Sequence, residues 1–270
     1  MRPRVECERL EGSPLSMCSA ELTRVYELVS SLKDAPRSYF KNFVTSIRDN
    51  PLKRKHFIDI EAELVTLDAV AWDHLRTRIG PLFTKKEKVR GWQGAFSELN
   101  EARAYNFLIR RGCTSVEFIP RRSDAQTPDL RAKLGSVDVL CEAKTINRSE
   151  REVVARAQKG VSSVSNRLST EFFTKLTSTI RRADQQMAAF SSAPDIKRIV
   201  YLVVNFDDSL HEYVDDYLVQ IQQRRDEFVV PGLEIVLDVK PKFYSASLAS
   251  AALLTLNFES AAPWLPPNFD

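Results

Sequence analysis

The spacing of hydrophobic positions in this chain changes from one region to the next. From about residue 20 to residue 88 apolar side chains recur every three or four positions. Leu22, Val25, Tyr26, Val29 and Leu32 form one stripe, and Leu64, Leu67, Val70, Ala71, His74 and Leu75 form another. That is the period of amphipathic helices. Pro36, Pro51 and Pro81 punctuate the stretch, and two basic runs, Lys53-Arg54-Lys55-His56 and Lys85–Arg90, read as turns or helix ends. Residues 1–20 read as irregular. A further helix is expected over about Gly94 to Arg111. Leu99, Ala102, Tyr105, Leu108 and Ile109 keep helical spacing there, and Arg110, Arg111 and Gly112 give a stop signal.

Beyond Gly112 the alternation shortens to two. Ser115–Pro120 reads as a strand. A hairpin should follow, with its turn at Leu134-Gly135-Ser136 and its second strand ending on Glu142 and Lys144. Ser149-Glu150-Arg151-Glu152 fits a capping box, and the residues after it, to Arg167, read as a loop. Leu168, Phe172, Leu176, Ile180, Ala183, Met187 and Phe190 predict a long helix with a core-packing face. Lys197–Val204 then reads as a strand buried on both faces. Leu210–Phe228 reads as an acidic-faced helix and Leu233–Val239 as a strand; Ser250–Leu256 is a strand or a helix. The expected fold class is α/β with a mixed sheet, an α+β arrangement in which helix, three strands, helix and strand follow in order. Three regions are expected: a helical N-terminal lobe over 1–90, a core over 91–205, and an acidic helix and strand extension over 206–270.

The hairpin carries the candidate chemistry. Its strands hold Thr127-Pro128-Asp129-Leu130 and Cys141-Glu142-Ala143-Lys144. A short turn fixes an antiparallel register that sets Asp129 beside Glu142. Because side chains alternate along a strand, Glu142 shares a face with Lys144, Leu140 and Asp138. Two carboxylates and one ammonium then converge, a hard-cation site with a lysine next to it. On the preceding helix Glu98 and Glu101 lie three residues apart and share a face at the edge of the apolar stripe.

These residues resemble the PD-(D/E)xK signature of restriction-endonuclease-like nucleases. Over roughly residues 91–150 the chain is also similar to a group of bacterial nuclease-like proteins. The resemblance implies an αβββαβ core and hydrolysis of nucleic-acid phosphodiesters, with DNA the expected substrate. It implies Mg²⁺, with Mn²⁺ able to substitute, held by Asp129, Glu142 and an acidic residue of the helix before the first strand. Glu101 is the first choice for that third residue and Glu98 the second. Lys144 completes the implied catalytic set, and its carboxylate neighbours favour a positioning and charge-stabilising role over that of a general base.

Composition narrows the field of alternatives. The 270 residues suffice for one sizeable domain or two small ones. Eight glycines include no Gly-rich phosphate cradle, and four cysteines and three histidines show no zinc spacing. No segment has the apolar length of a membrane span and the first residues lack a signal-peptide pattern, so a cytoplasmic protein with reduced thiols and no membrane partner is expected. Charge is unevenly spread. Residues 1–90 carry 17 Lys and Arg against 13 Asp and Glu, residues 91–205 carry 18 against 12, and residues 206–270 carry 4 against 11. A basic core suits a polyphosphate partner, with Arg121, Arg122, Arg181 and Arg182 as candidate contacts. Two rivals remain in the sequence: a nucleic-acid-binding module of the same fold that does not cleave, and a protein-interaction domain using the acidic segment. The sequence leaves monomer and homodimer open.

Overall fold

The computed structural model describes residues 21–32, 35, 38–87, 91–122, 124–146, 166–193, 195–204, 213–239 and the backbone of 252–256. The expected irregular N-terminus, the capping box at Ser149–Glu152 and most of the loop after it lie outside them. The described residues fall into two compact units, one ending at Asn106 and the other beginning at Phe107.

The first unit is helical: α1 (Thr23–Ser31), α2 (Phe43–Asp49), α3 (Pro51–Leu64), α4 (Ala69–Leu82) and most of α5 (Gln93–Arg110). Caps set the helix starts. Asn50 accepts hydrogen bonds from the Leu52 and Lys53 amides, with Pro51 at the first helical position. Asp68 accepts from the Ala71 amide to open α4. The stripe expected from Leu64 to Leu75 therefore divides between two helices. Val70, placed on it by spacing, is 80% exposed, while Ala71, Trp72, Leu75 and Ile79 are buried. Pro81 lies in the last turn of α4 instead of ending it. The run Lys53-Arg54-Lys55-His56 lies inside α3, where His56 is buried and meets the Tyr39 hydroxyl at 2.8 Å. Burial, with Lys53 and Lys55 adding to it, pushes the His56 pKa down to about 4, so this imidazole is neutral near pH 7. Tyr39 packs against Phe40, Phe57, Phe83, Trp92 and Phe96 at the aromatic centre of the unit.

The second unit is built on a six-stranded sheet in the order β1 (Thr114–Phe118), β2 (Leu130–Leu134), β3 (Val137–Ile146), β4 (Lys197–Val204), β5 (Leu233–Val239) and β6 (Ala252–Leu256). β1, β2 and β3 form an antiparallel meander, β3, β4 and β5 run parallel, and β6 is antiparallel to β5. The segment Ser250–Leu256 thus contains a strand. Parallel neighbours need crossovers, and two helices lie on the paths between them: α6 (Thr170–Phe190) between β3 and β4, and α7 (Val214–Gln223) between β4 and β5. The expected helix to Phe228 closes instead in a short 3₁₀ turn, Arg225–Glu227. The architecture is mixed α/β with a mixed sheet.

One face of the sheet carries the core. Leu140, Ile146, Val200, Leu202, Val204, Ile235 and Leu237 pack with Phe173, Leu176, Ile180, Ala183 and Met187 of α6 and with Tyr217 and Ile221 of α7. Phe173 takes the buried place that spacing gave to Phe172, which packs at the margin, and Phe190 is exposed. On the other face Phe107 meets the ring of Tyr201, whose hydroxyl donates to buried Asp238 at 2.5 Å. Glu234, buried on β5, is paired with Arg111 and, at 3.1 Å, with Lys197.

Candidate active site

The β2–β3 hairpin is closed by Gly135 and Ser136 alone. Gly135 has φ +62° and Ser136 does not share that sign, the pattern of a type II′ turn. The turn fixes Leu134 opposite Val137 and Leu130 opposite Cys141, so the next pair outward is Asp129 and Glu142. Their interaction is reciprocal. The Asp129 amide donates to Glu142 Oε2 at 3.2 Å, and the Ala143 amide donates to Asp129 Oδ2 at 2.9 Å. Lys144 Nζ forms an ion pair with Glu142 Oε1. The Asp129 carbonyl accepts from the Ile119 amide at 2.9 Å, extending the β1–β2 ladder past Phe118. Gln186 of α6 donates to the Thr127 carbonyl at 2.6 Å and so ties the segment before Asp129 to the helix.

Burial and charge set the character of the pair. Glu142 is wholly buried and Asp129 nearly so, whereas the Lys144 side chain is one-third exposed. Burial, followed by the neighbouring Glu142, pushes the Asp129 carboxyl up to about 7; Lys144, the Ala143 amide and Arg121 pull the other way. Burial and the second carboxylate therefore outweigh the cations near Asp129. Behind it on the opposite face of β3, Cys141 is fully buried and its thiol is pushed well up by that burial.

Glu101 belongs to the first unit, where it is buried and gripped by Arg78: Nη1 donates to Oε2 at 2.7 Å and Nη2 to Oε1 at 2.6 Å. The same guanidinium pairs with Glu98. Glu98 and Glu101 thus share a face of α5, as their spacing implies, and one arginine. Among the described residues no group of three or more His, Cys, Asp and Glu side chains is disposed to hold a metal ion.

No protein-family model, curated protein or solved structure matches this chain. The site must be judged on its own geometry.

Of the four candidate phosphate contacts, Arg121 lies close enough to Asp129 for its charge to act there. Arg122 is engaged by Asp124, with contacts of 3.0 and 2.8 Å. Arg181 and Arg182 project from α6 into solvent. Two residues that position the candidates escape any reading of the sequence, Gln186 and Arg78. Each is an ordinary polar residue in its own helix, and its partner is distant in the chain. Among the described residues no helix is long and apolar enough to cross a membrane.

Proposed function

We propose that the chain is a metal-dependent nuclease of the PD-(D/E)xK type that hydrolyses phosphodiesters of nucleic acid, DNA in the first instance. One observation carries the reading: Asp129 and Glu142 brace each other at the end of a register-locked hairpin, with Lys144 paired to the second of them. The order helix, three strands, helix, strand, with an antiparallel meander leading into a parallel fourth strand, supports the corresponding fold.

The residues fit a hard cation. Two adjacent, buried carboxylates, one pushed up to about 7 by burial and by its neighbour's charge, are oxygen donors that a divalent ion would compensate. Asp129 and Glu142 would hold Mg²⁺ or Mn²⁺. The ion would supply Lewis-acid stabilisation of charge at the scissile phosphate. Asp129 would hold the ion as a carboxylate, its proton given up to solvent. Lys144, paired to Glu142 and one-third exposed, would be the residue to stabilise charge on a phosphate oxygen. Two protein carboxylates suffice for an ion that keeps waters and substrate oxygens in its shell.

The test is direct. Purified protein is incubated with plasmid, linear duplex and single-stranded DNA in Mg²⁺, Mn²⁺ or chelator. Cleavage is expected with either ion and not with chelator. Intact substrates under every condition would contradict the proposal.

A further inference from the structure

On the flank of α6, Thr174, Thr177, Ser178, Arg181 and Arg182 line a groove of about 500 Å³ whose other wall is Arg224 and Glu227. On this helix the lining runs from Phe173 to Arg182, and Gln186, which holds the segment before Asp129, lies about one turn beyond it. Arg224 is fixed in place: its guanidinium stacks 3.9 Å over Phe173, and Glu227 accepts from it twice at 2.6 Å. Among the described residues Arg181 and Arg182 have no ion-pair partner. Three guanidinium groups thus face one carboxylate, with three hydroxyl side chains between them. Phe173 is the one apolar residue in the lining, and Arg224 covers its ring. An apolar small molecule finds little to bury here. Guanidinium forks are the donors that phosphate oxygens take; of the hydroxyls, Thr174 and Ser178 donate to the Thr170 and Lys175 carbonyls of the helix.

We propose that this groove binds backbone phosphates of a nucleic-acid strand, as a contact separate from the carboxylate hairpin. The choice of a nucleic acid as the phosphate-bearing ligand rests on the nuclease reading above; the groove itself does not. Binding there is sequence-independent and salt-sensitive, because phosphates carry no base information and each contact releases counterions.

The experiment follows fluorescence anisotropy of a labelled DNA duplex in chelator across a series of salt concentrations. For Arg181→Ala with Arg182→Ala, affinity at low salt is expected to fall about tenfold and the salt slope to shrink by roughly two. Arg181→Lys with Arg182→Lys should keep the wild-type slope. Thr177→Ala should weaken binding without changing the slope, since a hydroxyl displaces no counterions. Both arginines are exposed, and melting temperatures check that each variant is folded. A wild-type affinity and slope in the double alanine variant would overturn the proposal, as would no duplex binding by the wild type at low salt. The nuclease reading fails separately: a wild type that binds through these arginines yet cleaves nothing with Mg²⁺ or Mn²⁺ keeps the groove and loses the hydrolysis.

Discussion

A carboxyl group buried beside another carboxylate is costly to ionise, and Asp129 is so placed. In the unfolded chain it ionises near the ordinary 3.8, in the folded chain near about 7. Between those values the folded state keeps a proton that the unfolded state has released, so this group makes stability fall as pH rises through the window. Asp129→Asn removes the penalty. In chelator the variant should match the wild type near about pH 4 and exceed it by on the order of a few kcal/mol above about pH 7, read by urea denaturation. A cation that binds the ionised pair should raise the wild-type melting temperature more than the variant's. Stability curves that run parallel across that range would show that Asp129 carries no such burden. Glu101 presents a different problem, because its carboxylate is already held by Arg78. Glu101→Gln should cost on the order of 1–3 kcal/mol, since the partly buried Arg78 guanidinium loses one of its charged partners. Urea denaturation reads the loss. An unchanged midpoint would show that the Arg78 pairing carries no such weight.

Among the elements, the hairpin and α6 together hold the site. The hairpin was legible because its signals are local: strict alternation, a two-residue turn with Gly135, and a side-chain period of two leave little freedom in the register between Asp129 and Glu142. The α6 stripe was legible in extent but drifted in phase. Steps of four residues from Leu168 to Ile180 overshoot the helical period by roughly 40° each, whereas the buried set Phe173, Leu176, Ile180, Ala183 and Met187 alternates three and four. The short apolar run in Ser250–Leu256 has too few positions to separate the two periods, and it contains β6. What no periodicity reveals is partnership at long separation. Gln186 reaches Thr127 across 59 positions and Arg78 reaches Glu101 across 23. The first of these bonds makes α6 a brace for the segment that carries Asp129. Gln186→Ala should lower stability by about 1 kcal/mol and slow cleavage while leaving duplex affinity unchanged. A normal cleavage rate in that variant would leave the bond with only a structural part.

At the scale of the whole molecule, the surplus of basic residues overstates the charge that a ligand would meet. Arg111 and Lys197 are taken by Glu234, Arg198 by Asp184, Arg131 by Glu117, Lys133 by Asp138 and Arg122 by Asp124. Arg181 and Arg182 stand outside these pairs, so a nucleic acid is expected to bind through few phosphates and with a modest salt dependence. The acidic surplus beyond residue 206 is spent in part on the same internal pairs, through Glu234, and on Arg224 through Glu227, which weakens its case as a docking surface for another protein. Cleavage by Glu142→Gln protein decides most sharply between hydrolysis and mere binding. The substitution keeps the size of a wholly buried side chain and removes its charge from the centre of the proposed ion site. With Mn²⁺ and a duplex that both proteins bind, the wild type should cleave and folded Glu142→Gln protein should fall to background; cleavage surviving in the variant would place the chemistry elsewhere.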